Sequence, residues 1–312
     1  MNHDMYKRIA ALTLGCFLIT SAPLALADES EAKEHLQQIA KRVKEAEQRL
    51  DQVRAAEQAG LVSPAWVEGA RKELEEARLE MALAELESKR AEGALSDSQF
   101  EAEAGKIQKA LAANRVQHVR GLVERLRALY EAGRVDAAAL KNAETQLALA
   151  QLDEELVELE AMEATGEIKP VDKAARYAAI IRKRAALLHK EAAAKLERAK
   201  MRYEFGHTDA MDVHWATLEL AEAEAAVRSA EIEAEATLGE ISWKDAERRS
   251  AELHAKTAAR RVELLEQIVR LSDGAVTAGL LKEDALQGPR DDLEHAKEEL
   301  KAAKSKLEQV GD

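Results

Sequence analysis

The sequence predicts an all-α protein made of four tandem 73-residue antiparallel hairpins, eight long helices with coiled-coil-like packing, following a signal peptide. Three observations carry this expectation. Gly60, Gly133, Gly206 and Gly279 recur 73 residues apart, and Gly93, Gly166 and Gly239 each follow one of them by 33 residues. Between these glycines the apolar residues step by three and four, the period of one helix face. The composition joins 34% charged residues to 3% aromatics, with 14 glycines and 4 prolines in 312 residues. That mixture belongs to long helices meeting along narrow seams rather than to a globule with a bulky core. No segment after Ala27 alternates apolar and polar residues as a half-buried strand would.

Residues 1–27 read as an address. Lys7 and Arg8 supply a positive region, Ile9 to Thr20 an apolar stretch, and Ala25-Leu26-Ala27 a small-x-small cleavage site. The expected mature chain, 28–312, is therefore exported, to the periplasm or in association with the outer membrane. Cys16 is the one cysteine, so the mature chain would be held without disulfides or cysteine-bound metal. Nothing after Ala27 approaches the roughly 20 apolar residues a helical span needs, and no membrane-spanning segment is expected there. The formal charge is −13, and losing Asp4, Lys7 and Arg8 with the signal takes it to −14. An acidic surface of this kind argues against nucleic acid, whose phosphates need a basic face, and equally against adhesion to anionic lipid.

The glycine frame divides the chain into hairpins at about 28–92, 96–165, 169–238 and 242–312. Three residues after the glycines stand Ser63, Asp136, Asp209 and Lys282 in one set, and Ser96, Lys169 and Ser242 in the other. Five of these seven are good N-caps, able to satisfy an orphan backbone N–H. Pro64 and Pro170 sit at the first helical position, where a missing N–H costs nothing. Ser96 with Gln99 forms a capping box; Leu95 with Phe100, Val62 with Val67, and Val135 with Leu140 have staple spacing. Each glycine suits the left-handed residue that closes the preceding helix. Helices of about 30 and about 37 residues are expected between turns. The first seam runs through Leu36, Ile39, Val43, Ala46, Leu50 and Val53. In the frame of its last four residues, one repeat on, come Val116, Val119, Val123 and Leu126. Leu74, Leu147, Leu220 and Leu293 share a frame position, as do Ala77, Ala150, Ala223 and Ala296. Small seam residues let axes approach near the ~8 Å lower limit. The last hairpin departs: Gly288-Pro289 falls where the others carry Gly69-Ala70, Asn142-Ala143 and Trp215-Ala216. Proline inside a helix removes a hydrogen bond and clashes with the preceding turn, so a kink or a displaced start is expected, with regular helix from about Pro289.

No constellation reads as chemistry. A di-iron bundle wants Glu-x-x-His pairs on inward helix faces, and the histidines are scattered without them. His207 and His214 straddle one turn and read as solvated turn residues. Phosphate loop, nucleophile elbow and cysteine nucleophile are all missing, so neither catalytic, cofactor-binding nor metal residues are expected, and the chain is read as no enzyme. Glutamate-rich stretches such as Glu154-Glu155 read as outer helix faces. Trp66, Tyr130, Tyr203, Phe205 and Trp215 lie near the first set of turns, Phe100 and Trp243 near the second. They read first as plugs where splayed helices leave space, and alternatively as anchors for a docking partner.

The run from Tyr203 through Gly206, Asp212-Val213, Ala216 and Leu220-Ala221 to Leu238-Gly239 resembles the helical repeat of TolC-like outer-membrane efflux proteins. There, a Tyr-x-x-Gly turn leads to Asp-Val and a long helix ending at Leu-Gly. Tyr130 to Gly133 with Ala143, Leu147 and Ala150, and Gly60 with Ala70, Leu74 and Ala77, match in part. The resemblance implies that this turn is a periplasmic tip facing an adaptor hairpin, with the aspartate helping to constrict an entrance. Asp212 alone holds that place; the other repeats carry Trp66, Ala139 and Ala285. The family's membrane strands have no counterpart, because the 40 residues from each second-set glycine to the next first-set glycine read as one helix. The expected function is a non-catalytic periplasmic scaffold or partner-docking protein, with a docking tip at Tyr203, Phe205, Gly206, Asp209, Asp212 and Trp215. The alternative is a component of a TolC-like efflux transport system. Expected partners are other helical hairpins, an efflux adaptor, or further copies of the chain.

Overall fold

A computed structural model describes residues 29–311 of the chain; the signal segment read at 1–27 lies outside the described residues. Eight α-helices follow one another, with no strand among the described residues. They are α1 (Glu29–Gln58), α2 (Pro64–Ala91), α3 (Asp97–Glu131), α4 (Ala137–Ala164), α5 (Pro170–Glu204), α6 (Ala210–Thr237), α7 (Trp243–Thr277) and, after a 3₁₀ turn at Glu283–Leu286, α8 (Gln287–Gly311). The predicted alternation is present. α3, α5 and α7 each have 35 residues, and α2, α4 and α6 each have 28, about 52 and 42 Å at 1.5 Å per residue.

Every glycine of the predicted frame is in the left-handed region, from φ 66° at Gly133 to 76° at Gly239. All seven close their helices in one way. At Gly206 the glycine N–H donates to Tyr203 O at 2.9 Å and the next N–H, His207, to Arg202 O at 2.8 Å. This pair of bonds satisfies carbonyls that the helix end would otherwise orphan. Past four of the seven glycines, side-chain caps start the next helix. Ser96 and Gln99 form the capping box, and Asp136, Asp209 and Ser242 each accept an N–H from the residue three further on. Ser63 departs from expectation. It has the extended cap conformation but makes no side-chain cap bond, and its carbonyl accepts Trp66 N–H instead. Pro64 at the first helical position already removes one of the orphan donors.

The described residues form two compact units, one ending at Lys169 and one beginning at Pro170. Within the first, α1 packs on α2, α2 on α3 and α3 on α4; within the second, α5 on α6, α6 on α7 and α7 on α8. Only neighbours in sequence pack side by side, so each unit is a single antiparallel row of helices rather than a closed four-helix bundle. The contact is more extensive inside each predicted hairpin than between hairpins.

The seams are where the sequence places them. Val43, Ala46 and Leu50 of α1 interlock with Val67, Ala70, Leu74 and Ala77 of α2, with Val53 and Met81 at the margins. Alanine supplies 20 of the 36 buried apolar side chains among the described residues, and none is aromatic. Small side chains bring backbones close, and the gain is dispersion spread along the whole seam. Ion pairs bridge the helices of a hairpin: Arg42 with Glu80 at 2.7 Å and Arg49 with Glu73 at 2.9 Å across Gly60, Arg127 with Glu144 at 2.9 Å across Gly133. Such exposed pairs are worth about 0–1 kcal/mol each; their effect is on register more than on stability.

The fourth hairpin takes the displaced start. Glu283 to Leu286 makes the 3₁₀ turn, and α8 begins at Gln287, two residues ahead of the expected Pro289. Pro289 is thus in the first turn, where amides have no intrahelical acceptor. Leu286 is buried in the frame position that Val67 holds in the first hairpin.

A left-handed alanine costs about 1–2 kcal/mol, and no neighbour lies within 4 Å of a Cβ added at Gly206. Gly206→Ala should therefore destabilise by that amount in urea unfolding followed by circular dichroism. Gly121→Ala, inside α3 and equally unobstructed, should stabilise by about 0.5–1 kcal/mol. Like signs for the two would contradict the turn assignment. Ala296, fully buried between α8 and its neighbour, should not accept bulk: Ala296→Leu is expected to cost about 1–3 kcal/mol in the same measurement.

Candidate functional site

Antiparallel order puts the Gly60 and Gly133 turns at one end of the first unit and Gly93 at the other. In the second unit Gly206 and Gly279 share an end, opposite Gly239. The two kinds of end differ in surface chemistry. Of eleven large apolar side chains exposed among the described residues, nine flank the Gly60, Gly133, Gly206 and Gly279 turns, and only Val171 and Leu238 flank the others. Formal charge divides the same way. Within nine residues either side, Gly60, Gly133, Gly206 and Gly279 carry −2, +1, −1 and −1, whereas Gly93, Gly166 and Gly239 carry −3, −3 and −4. In each unit the turns of the first kind are apolar and nearly neutral, and those of the second kind acidic. The sequence held this contrast openly, in the charges around each glycine, and reading aromatics alone missed it.

The Gly206 end shows how the surface is built. The last turn of α5 presents Tyr203, 51% exposed, and the residue just past it, Phe205, is 71% exposed. The Phe205 ring stands 6.4 Å from that of His207, tilted by 32°. Asp209 accepts the Asp212 N–H at 3.1 Å, and Thr208 donates its hydroxyl to the Asp212 carboxylate. Both aspartates thus hold the start of α6, where negative charge also suits the helix dipole. Trp215 is turned inward, against the cluster of Leu218, Leu264, Leu265, Ile268 and Ala296. The six residues read as one tip therefore separate. Tyr203 and Phe205 form surface, Gly206, Asp209 and Asp212 form the turn, and Trp215 packs between helices. The plug reading of the aromatics holds for Trp215 and is corrected for Trp66, Tyr130, Tyr203 and Phe205, which are exposed. At the opposite kind of end, Phe100 is half-buried under the Arg90 guanidinium, 4.8 Å from its centroid. Arg90 also binds Asp97 at 2.8 Å, joining α2 to α3.

Little in the rows of helices resembles a small-molecule site. A depression of about 230 Å³ between α1 and α2 is lined by Arg42, Glu45, Ala46, Arg49, Glu73, Glu76 and Ala77. It is smaller than the ~300–1,000 Å³ of ligand pockets and lacks their apolar walls. No group of three His, Cys, Asp or Glu among the described residues could hold a metal ion. The histidines are not wholly without Glu-x-x-His spacing, since Glu204 precedes His207 by three residues, but left-handed Gly206 breaks the helix between them and both are exposed. No helix among the described residues is long and apolar enough to cross a membrane.

Two α6 carboxylates have displaced protonation. Burial raises the pKa of Glu233, opposed by the Tyr177 hydroxyl that donates to it at 2.6 Å. Burial likewise raises Glu222; Arg261 lowers it, and Glu219 and Glu299 raise it further. Neither adjoins the aromatic end. A carboxyl whose folded pKa is raised contributes stability below its unfolded pKa and loses it as pH rises through the folded value.

Comparison with protein-family profiles, with curated proteins and with solved structures returns no match for this chain. The likeness to TolC-like repeats stands on the sequence motif alone.

Glu233→Gln keeps an acceptor for Tyr177 and removes the buried charge. Its melting temperature should exceed the parent's at neutral pH, and the gain should fade as pH falls through the raised Glu233 pKa and be gone below the ordinary glutamate range. A gain that persists undiminished in acid would show that burial of charge was not its cause.

Proposed function

We propose that this protein is a non-catalytic, exported helical scaffold that docks protein partners at the ends of its hairpins. The observation that carries the reading is the concentration of exposed aromatic and aliphatic side chains at the near-neutral ends, with acidic surface kept at the opposite ones. Tyr203 and Phe205 are large, stiff anchors of the kind that dominate binding energy once water is excluded. No partner element within the second unit covers them. The signal-like segment at 1–27 supports a periplasmic setting. A second reading, a component of a TolC-like efflux system, is favoured by one feature: Tyr203, Gly206 and Asp212-Val213 stand together on one hairpin end. In that reading an adaptor hairpin docks there. The continuous 35-residue helices, with no strand-forming insertion, favour the scaffold over a pore.

A photo-crosslinking residue placed at position 205 should capture protein in the native cell. The same residue at position 238, near an acidic end, should capture far less. If position 205 yields no protein adduct, the docking reading fails. An adaptor recovered at 205 would favour the transport reading.

A further inference from the structure

We infer that the exposed face of α5 docks a helix of a partner protein, an acidic and alanine-rich one, through Arg182, Lys183 and Lys190. This surface lies along the middle of a helix, apart from the turn ends proposed above as docking sites.

Charge is the first ground. α5 carries ten Lys and Arg against four Asp and Glu, a net +6 in a chain of formal charge −13. Its hairpin partner α6 carries seven acids and one base, a net −6. Lys195 meets Glu219 across the hairpin, and Lys200 pairs with Glu197 one turn away. Arg182, Lys183 and Lys190 differ. All three are exposed, and no ion pair or side-chain hydrogen bond joins them to another described residue. Their own helix offers them no carboxylate either. Side chains three and four residues apart are neighbours on a helix surface, and every such position around these cations holds Ala, Ile or Leu.

The second ground is the shape of the face. Lys183 and Lys190 are seven residues apart, about 10.5 Å along the axis. Ala179, Ala186 and Ala193 form a ladder of the same spacing, the first two exposed and the third half-buried. At 3.6 residues per turn, the ladder and the three cations fall within about 100° of arc. One residue earlier, Ala178, Ala185 and Ala192 form a second ladder, and it is buried. The fold closes its seams with small residues flanked by interhelical charge pairs. On α5 one ladder is covered and the other is open, with the cations beside it unmatched.

The chemistry of the partner follows. Carboxylates seven or eight residues apart on one helix face would meet Lys190 together with Lys183 or Arg182. Small side chains between those carboxylates would let the two axes close on the alanine ladder to near ~8 Å. α6, of that composition, already lies against α5. An anionic bilayer fits less well. Its charge is spread over an area and would meet the rest of a chain at −13, and no large apolar side chain is exposed among the three cations to enter it.

The probe is an alanine-based helical peptide of α6's length, 28 residues, with glutamate at every seventh position. Its binding to the purified full chain, read by fluorescence anisotropy, should be measurable and weaken as salt rises. Lys183→Glu with Lys190→Glu should weaken it by about tenfold or more, with circular dichroism unchanged because both side chains are exposed. Ala186→Gln changes no charge but obstructs the ladder, and should weaken binding as well. Phe205→Ser, at the Gly206 end, should leave it unaltered, which separates this surface from the turn ends. The assignment is overturned if the peptide does not bind, or if one with its glutamates dispersed around the helix binds equally. Indifference to Ala186→Gln, loss through Phe205→Ser, or equal binding of phosphatidylglycerol vesicles overturns it too. Crosslinking of protein at position 205 in cells, with no peptide bound at α5, removes this surface and leaves docking at the ends standing.

Discussion

The fold depends on a backbone conformation that only glycine adopts without cost. Each helix stops because one residue turns left-handed and lends its own and the following N–H to carbonyls that would otherwise face nothing. Three residues later an extended cap begins the next helix in the opposite direction. Because the same device operates at all seven frame positions, helix lengths follow from the spacing of glycines, and seams follow from helix lengths. Gly69, Gly105 and Gly121 lie within helices and do none of this, which shows that the frame, and not glycine as such, carries the information.

Between turns, stability is thin and spread out. A seam of Ala70, Leu74 and Ala77 buries little surface per residue, and the compensation is length and close approach. Interhelical pairs such as Arg49 with Glu73 add little energy, but a slip of one residue would mismatch them and the seam together. The larger side chains of the second unit concentrate where α6, α7 and α8 meet, around Leu265 and Ile268, and Trp215 joins them there.

The architecture was almost fully legible because turn chemistry is local: Gly133, Asp136 and Leu140 carry their message within a few residues. Even the irregular fourth start could be read, since Pro289 is incompatible with a helix interior whatever surrounds it. The surface was harder. Periodicity identifies one seam per helix, but α6 lies between two neighbours and is rich in alanine along its whole length. That is why spacing alone could not tell that Trp215 faces α7 while Tyr203 and Phe205 face water. Ser63 failed as a cap for a local reason: the Trp66 N–H that its hydroxyl would accept goes to its own carbonyl instead. The candidate docking surface was visible as residues and illegible as a surface, because membership in an end depends on which turns share it.

Packing restricted to helices adjacent in sequence has a consequence for how the chain comes together. α1 can find α2 while everything downstream is still unformed, and the same is true of each later pair within its unit. Within each unit the helix contacts are made over short separations along the chain, so the entropic cost of closing loops stays small at every step. Each unit can assemble progressively from its N-terminal side as it is made, without any intermediate having to wait for a distant segment.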